Sequence, residues 1–212
     1  MNLYPIMANI EGRLIVVIGG GEVAARKVID LLNAGARVKL VSPEINPNIA
    51  EIKSSNLEIV QRPYSYGDLQ GAFLVFSATN SREVNAAVFK EASQLNIFIN
   101  AVDDPENCSF FVPSFFTKGD LLVAVSTGGA SPSYAAKIRR LLERSIPENA
   151  EAILRSLRLS RDLLKSDPKF SHLDSPTRGR ILKNIVEKEE LLNEIALCHN
   201  SEELAEFLLK LI

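Results

Sequence analysis

The sequence predicts an α/β protein whose first half is a doubly wound parallel sheet. Three observations lead there. Short apolar runs alternate with helix-length segments between Leu14 and Asn100, the pattern that successive βαβ units produce. The first run, Leu14–Ile18, is continuously apolar, as a strand buried on both faces requires. It then passes through Gly19-Gly20-Gly21 straight into an Ala-rich, helix-favouring stretch.

Taken in order, the strands read as Leu14–Ile18, Val38–Val41, Leu57–Gln61, Phe73–Ser77 and Ile97–Asn100. Helices are expected at Val23–Asn33, ending in the turn Ala34-Gly35-Ala36, and at Arg82–Leu95. In such sheets ligands bind beyond the C-terminal ends of the strands. That singles out Gly19–Gly21, Ser77-Ala78-Thr79-Asn80 and Asn100-Ala101-Val102-Asp103.

Gly19, Gly21 and Ala24 fall on the G-x-G-x-x-G/A spacing of a dinucleotide site, in a Rossmann-like setting of strand, turn and helix. Gly19 permits the tight turn, Gly21 has no Cβ to block a pyrophosphate, and Ala24 lets helix and strand pack closely. The helix start, Glu22-Val23, offers free N–H groups and the positive end of the dipole. The acid that usually holds the ribose belongs at the end of the second strand, about 20 residues on. Here that strand ends Val41-Ser42-Pro43-Glu44. Either Glu44 or the Ser42-Pro43 backbone serves the ribose. No Arg or Lys follows at once to receive a 2′-phosphate, which favours NAD over NADP. Thr79 and Asn80 precede a helix, so N-capping and cofactor contact both remain open.

After Asp103 the alternation stops. Asp103–Asn107 is a turn cluster, Ser109–Thr117 reads as extended and Phe-rich, and Lys118-Gly119-Asp120 joins it to a strand at Leu121–Ser126. Phe110, Phe111, Phe115 and Phe116 are expected to fill a core rather than an interface. Ser131-Pro132 starts a helix running to Ser145, with Tyr134, Ile138, Leu141 and Leu142 as its apolar stripe. Lys137, Arg140 and Arg144 lie on another face, either solvated or forming a basic wall for a polyanion. Glu148 to Ile212 is helical by periodicity, broken at Ser166–Pro168 and Ser171–Pro176. The expected organisation is therefore 1–113, a nucleotide-binding domain; 114–147, a small α+β segment; and 148–212, a helical C-terminal domain.

Composition narrows the classes. The 212 residues are 46% hydrophobic and 24% charged, with a formal net charge of −2, which gives no electrostatic reason to expect nucleic acid. No apolar run reaches membrane-spanning length, and Met1–Gly12 has no basic n-region, so the expected location is cytoplasmic. Cys108 and Cys198 form no C-x-x-C pair, and His172 and His199 fit no metal motif, so no metal site is expected. Asp103, at a strand tip where a nicotinamide would lie, is the one candidate for proton transfer. A turn-capping role for Asp103 and Asp104 is the competing reading.

Four motifs occur in order: Gly19–Lys27 (Gly-Gly-Gly-Glu-Val-Ala-Ala-Arg-Lys), Asn100–Pro105 (Asn-Ala-Val-Asp-Asp-Pro), Phe110–Ser114 (Phe-Phe-Val-Pro-Ser) and Val123–Pro132 (Val-Ala-Val-Ser-Thr-Gly-Gly-Ala-Ser-Pro). Together with Leu3-Tyr4-Pro5-Ile6, they resemble the siroheme-synthase N-terminal family of precorrin-2 dehydrogenases, over about residues 1–146. The resemblance implies NAD-dependent oxidation of precorrin-2 to sirohydrochlorin by a homodimer that assembles through the central segment. It implies that Glu22, Val23, Pro43 and Glu44 contact NAD and that Asp103 is the acid–base residue. Thr127, Gly128, Gly129, Ser131 and the helix after them, with Lys137 and Arg140, would face the carboxylate-rich substrate. Some family members also insert Fe²⁺; the sequence leaves that step open, and a separate chelatase would then be a natural partner. Thr127 stands where fused relatives carry serine, and the hydroxyl is retained. Two other classes compete: a non-catalytic NAD-sensing module, and a dehydrogenase of a small hydroxy acid, which would need a His or Tyr/Lys relay not seen here.

Overall fold

The strands β1 (Leu14–Ile18), β2 (Arg37–Val41), β3 (Leu57–Val60), β4 (Leu74–Ser77) and β5 (Phe98–Ala101) form one sheet in the order β3-β2-β1-β4-β5. Every pairing is parallel, with Ile18 level with Val41 on one side and Ser77 on the other. The computed structural model describes residues 3–102 and 104–212. It divides into two units, Leu3–Val112 and Pro113–Ile212.

In the first unit the continuous apolar strands bury both faces, as expected. Helix α1 (Glu22–Asn33) packs Ala24 and Val28 with Ile15, Val17, Leu40 and Phe76 on one face. Helix α3 (Arg82–Gln94) packs Val88 and Ala92 with Val16, Ile18, Val75 and Ile99 on the other. Each Val, Leu, Ile or Phe among them contributes about 1.5–3 kcal/mol on burial. A single turn, α2 (Pro47–Ala50), capped by the Asn46 side chain, was not foreseen. The chain reverses strand order between β1 and β4, which places the switch-point crevice at Gly19 and Ala78.

Residues 109–113 are not strand, although the sequence read them as extended. Ser109 and Phe110 lie instead along the edge of β5. Ser109 N–H donates to the Ile99 carbonyl at 2.8 Å, and the Ser109 hydroxyl accepts the Ile99 N–H at 2.8 Å. The Cys108 thiol accepts the Ala101 N–H at 3.2 Å. These contacts cover an edge that would otherwise invite pairing. The phenylalanines accordingly separate. Phe110 packs edge-on to Phe76 in the first unit's core, at 5.3 Å between centroids.

The second unit opens with a hairpin of β6 (Ser114–Lys118) and β7 (Leu121–Val125) turning at Gly119-Asp120. Phe116 is buried there, whereas Phe115 and Leu122, on the opposite face of the ribbon, are exposed. Helix α4 (Pro132–Ser145) packs on the hairpin, with Ala135 buried. Its apolar stripe is largely left outward, with Tyr134 55% and Leu141 51% exposed. Helices α5 (Ala150–Ser166), α6 (Ser175–Glu187), α7 (Glu189–Ala196) and α8 (Ser201–Leu209) enclose a core of Leu164, Phe170, Ile185, Ile195, Leu204 and Phe207. The breaks at 166–168 and 171–176 appear as read, the first leading into a 3-10 turn at Pro168–Phe170.

Candidate active site

The glycine turn is built from three glycines with three different surroundings. Gly19 has φ +107°, and an ideal Cβ there would lie 2.2 Å from the Ala78 carbonyl oxygen. Gly20 is equally closed, because a Cβ would meet the Glu44 carbonyl oxygen at 2.2 Å. Gly21 faces open space, with nothing within 4 Å of an added Cβ. Gly20 went unremarked in the sequence, since its constraint comes from a loop that returns through space after β2.

That loop is tied down by its own bonds. The Gly20 carbonyl accepts the Asn46 N–H at 2.8 Å, and the Ser42 hydroxyl, 6% exposed, donates to the Glu44 carbonyl at 2.8 Å. Gly19 N–H donates to the Val41 carbonyl at 2.9 Å. Pro43 and Glu44 are therefore held beside the glycine turn with their side chains exposed. The first turn of α1, Glu22 and Val23, follows an N-cap glycine that offers no side-chain acceptor. Its leading N–H groups have no intrahelical partner. An open space over Gly21 bordered by such donors fits a dinucleotide pyrophosphate.

The opposite wall is the turn after β4. Ala78 N–H donates to the Ile18 carbonyl at 2.7 Å, locking that turn to the end of β1. Thr79 is half-buried and its hydroxyl accepts the Ser81 N–H at 3.2 Å, while Asn80 is exposed. Ser81, not Thr79 or Asn80, caps α3, through its hydroxyl and the Val84 N–H at 3.3 Å. Behind this wall, Lys27 on α1 lies over the Phe76 ring at 5.7 Å, and burial pulls its ammonium below the usual lysine range. The structure thus brings Gly19, Gly21, Glu22, Val23, Ala24, Pro43, Glu44, Thr79 and Asn80 to one end of the sheet.

The loop between β3 and β4 is organised by two carboxylates. Glu91, buried on α3, accepts the Gly67 and Leu69 N–H groups at 3.0 and 3.2 Å and the Tyr64 hydroxyl. Burial and that carboxylate push the Tyr64 phenol well above its usual range. Asp68 takes both Arg62 guanidinium nitrogens at 2.7 Å, the Ser65 N–H at 2.9 Å and the Lys39 ammonium at 3.2 Å. The Arg62 bond above all holds the Asp68 carboxyl far below the ordinary carboxylate range.

Asp103 lies outside the described residues. Its neighbours are placed. Val102 N–H donates to the Ser77 carbonyl at 2.8 Å, and Asp104 N–H to the Ala101 carbonyl at 3.4 Å.

The residues expected to meet substrate belong to the second unit. The Thr127 hydroxyl accepts the Ser131 N–H and donates to the Ser131 carbonyl, both at 3.1 Å, closing the loop over Gly128 and Gly129. The Ser131 hydroxyl caps α4 by accepting the Tyr134 N–H at 3.2 Å. Both hydroxyls therefore shape the loop. Lys137, Arg140 and Arg144 are exposed along α4. His172 and His199 are exposed, and both cysteines are free thiols.

A parallel sheet in this order, with a glycine turn and an open helix start at its switch point, defines a dinucleotide-binding α/β protein. The chain belongs to the family described as putative NAD(P)-binding, whose profile matches residues 6–114. A second profile, the sirohaem biosynthesis protein central segment, matches residues 118–145. Siroheme synthase 2 of Aeromonas salmonicida is 45% identical over 149 residues, covering 70% of this chain and 31% of that protein. The siroheme synthase of Methylobacillus flagellatus is 43% identical over 148 residues, covering 69% and 32%. The chain thus spans about a third of the length of these curated relatives. Among solved structures, SirC, a precorrin-2 dehydrogenase, shares the fold with a TM-score of 0.76 at 24% identity, covering 99% of this chain and 98% of that one. The family resemblance and the fold class expected from the sequence are both borne out.

Proposed function

We propose that this protein is an NAD-dependent precorrin-2 dehydrogenase that forms sirohydrochlorin. The observation that carries the reading is the succession, on one chain, of a nucleotide crevice and a sirohaem-biosynthesis central segment. Bound NAD⁺ supplies a hydride acceptor. The chain's own residues do the rest. The Glu22 and Val23 N–H groups would hold the NAD⁺ pyrophosphate, and Pro43 and Glu44 would contact its ribose. Thr79 and Asn80 line the second wall, and Asp103 accepts the proton released as the macrocycle is oxidised. Thr127, Gly128, Gly129 and Ser131 form the substrate loop. Lys137 and Arg140, with Arg144, pair with the substrate's carboxylates.

The reading includes a homodimer formed through 114–147, between the nucleotide domain 1–113 and the helical domain 148–212. The outward apolar face of the hairpin, Phe115 and Leu122, and the exposed Tyr134 and Leu141 of α4 support it. No helix among the described residues is long and apolar enough to cross a membrane, and we assign the reaction to the cytoplasm.

The test is anaerobic incubation of the protein with enzymatically generated precorrin-2 and NAD⁺. Stoichiometric NADH and the sirohydrochlorin spectrum are expected. Folded protein that binds NAD⁺ yet yields neither product is instead an NAD-sensing module. Adding Fe²⁺ afterwards, against a protein-free control, tells whether the chain also makes siroheme or hands sirohydrochlorin to a separate chelatase.

A further inference from the structure

Asn85 is a polar residue on the buried face of α3, where Val88 and Ala92 follow it into the core. Asparagine is a poor helix former, and burial of its amide is costly unless both ends are bonded. Here both are. The Asn85 Nδ2 donates to the Thr79 carbonyl at 3.1 Å, and its Oδ1 accepts the Ser77 hydroxyl at 2.6 Å. The orientation follows from the partners: a carbonyl can only accept, so Nδ2 must face Thr79, which leaves Oδ1 for the hydroxyl. Ser77 is fully buried and Asn85 is 9% exposed, so water supplies neither bond.

The amide thereby bridges the last residue of β4 and the second residue of the turn beyond it. Between them lies Ala78, whose carbonyl presses on Gly19. The Ser77 carbonyl also accepts the Val102 N–H at 2.8 Å, and Val102 immediately precedes Asp103. One side chain therefore stands behind two rims of the crevice: the 78–80 wall and the chain leading to the acid–base residue.

We infer that Asn85 is a positioning residue for the dinucleotide crevice, acting through Thr79 and Ser77 rather than touching the cofactor. The inference rests on the NAD-binding reading of the same crevice. Without the Nδ2 donor, the Thr79 carbonyl is orphaned and the 78–80 turn is free to leave its register against Gly19. An apolar replacement would fill the space and still lose the register.

Two variants test this, Asn85→Ala and Asn85→Asp. The aspartate keeps the shape and the Ser77 contact; once ionised it cannot donate to Thr79, so its affinity is read across rising pH until it no longer changes. NADH affinity is read by fluorescence titration well below each variant's melting temperature. KM for NAD⁺ and for precorrin-2 are measured separately. Both variants should bind NADH about tenfold more weakly, the loss of one buried hydrogen bond. KM for NAD⁺ should rise in step, with KM for precorrin-2 changed by less than about twofold. A merely structural residue would lower the melting temperature and leave NADH affinity alone; that outcome overturns the inference. If Asn85→Ala does not fold, Asn85→Asp decides by the same criteria. Wild-type protein that fails to bind NADH would overturn the nucleotide reading and the inference together, and it is told apart because the unaltered chain is itself silent.

Discussion

Gly19 and Ala78 touch so closely that a methyl group on Gly19 would sit 2.2 Å from the Ala78 oxygen, whereas the same group on Gly21 would meet nothing within 4 Å. The contact lies where β1 and β4 end side by side, joined by the Ala78 N–H to Ile18 carbonyl bond, and it separates two glycines that the motif treats alike. Gly19→Ala should cost about 3 kcal/mol, combining left-handed backbone strain with overpacking. Gly21→Ala should cost only about 1 kcal/mol, the difference between glycine and the poorer N-cap alanine, because at φ −79° the backbone takes alanine without strain. It should still weaken NADH binding by at least about tenfold, because its Cβ enters the space left for the phosphates. Chemical denaturation and NADH titration of the two variants check both halves.

The Asp68 cluster sets an acid limit on the first unit. Its folded carboxyl is held below the unfolded value of about 3.9 by Arg62 first, then by the Ser65 N–H and Lys39. A depressed folded pKa contributes stability that is complete above the unfolded value and is lost as pH falls through the folded one. Asp68→Asn should therefore flatten the acid side of the stability–pH curve. At neutral pH it should cost about 1–2 kcal/mol, a modest figure because the partly exposed Arg62 is screened by solvent. Urea midpoints from pH 7 down to pH 3 are the measurement.

Most of the first unit was legible because its strands are continuous apolar runs ended by turn residues. β1 and α4 fell where the sequence put them, α4 because Ser131-Pro132 is an unambiguous start. What escaped notice depends on approach through space. Gly20 is fixed by the Glu44 carbonyl, and Ser109 and Cys108 spend their hydrogen bonds on the edge of β5. Asn85 left a faint signal, one amide on the helix face that also buries Val88, Glu91 and Ala92. The breaks after α6 and α7 carry no proline or glycine, and the Asn200 cap of α8 was hidden in a polar tetrad.

In the helical part of the second unit, Ser156 and Ser160 lie one turn apart on α5, fully buried, and neither hydroxyl has a partner among the described residues. α5 packs on α6, α7 and α8, so a small residue suits both positions and the oxygen serves neither. Replacing each with alanine removes an unsatisfied polar atom and improves helix propensity. Each change should stabilise by about 1 kcal/mol. The double variant should melt higher than wild type without any change in NADH affinity, as read by calorimetry and titration.

Asp103 carries the sharpest chemical prediction. Its neighbours are anchored: Val102 to the Ser77 carbonyl, and Cys108 across the chain to Ala101. Val102 is thereby held against the end of β4, the strand whose following turn carries Thr79. On the proposed reading the substrate loses a proton as its hydride leaves, and Asp103 is the residue the sequence puts forward to take it. Asp103→Asn keeps the size and removes the base. Turnover should fall by at least about a hundredfold, the usual worth of a positioned general base. NADH affinity should stay within about twofold, because on the proposed reading the phosphates bind at the Gly19–Gly21 turn. A merely turn-capping aspartate gives the reverse, since asparagine caps a turn equally well: unchanged turnover and unchanged binding would return the proton to solvent and remove Asp103 from the mechanism.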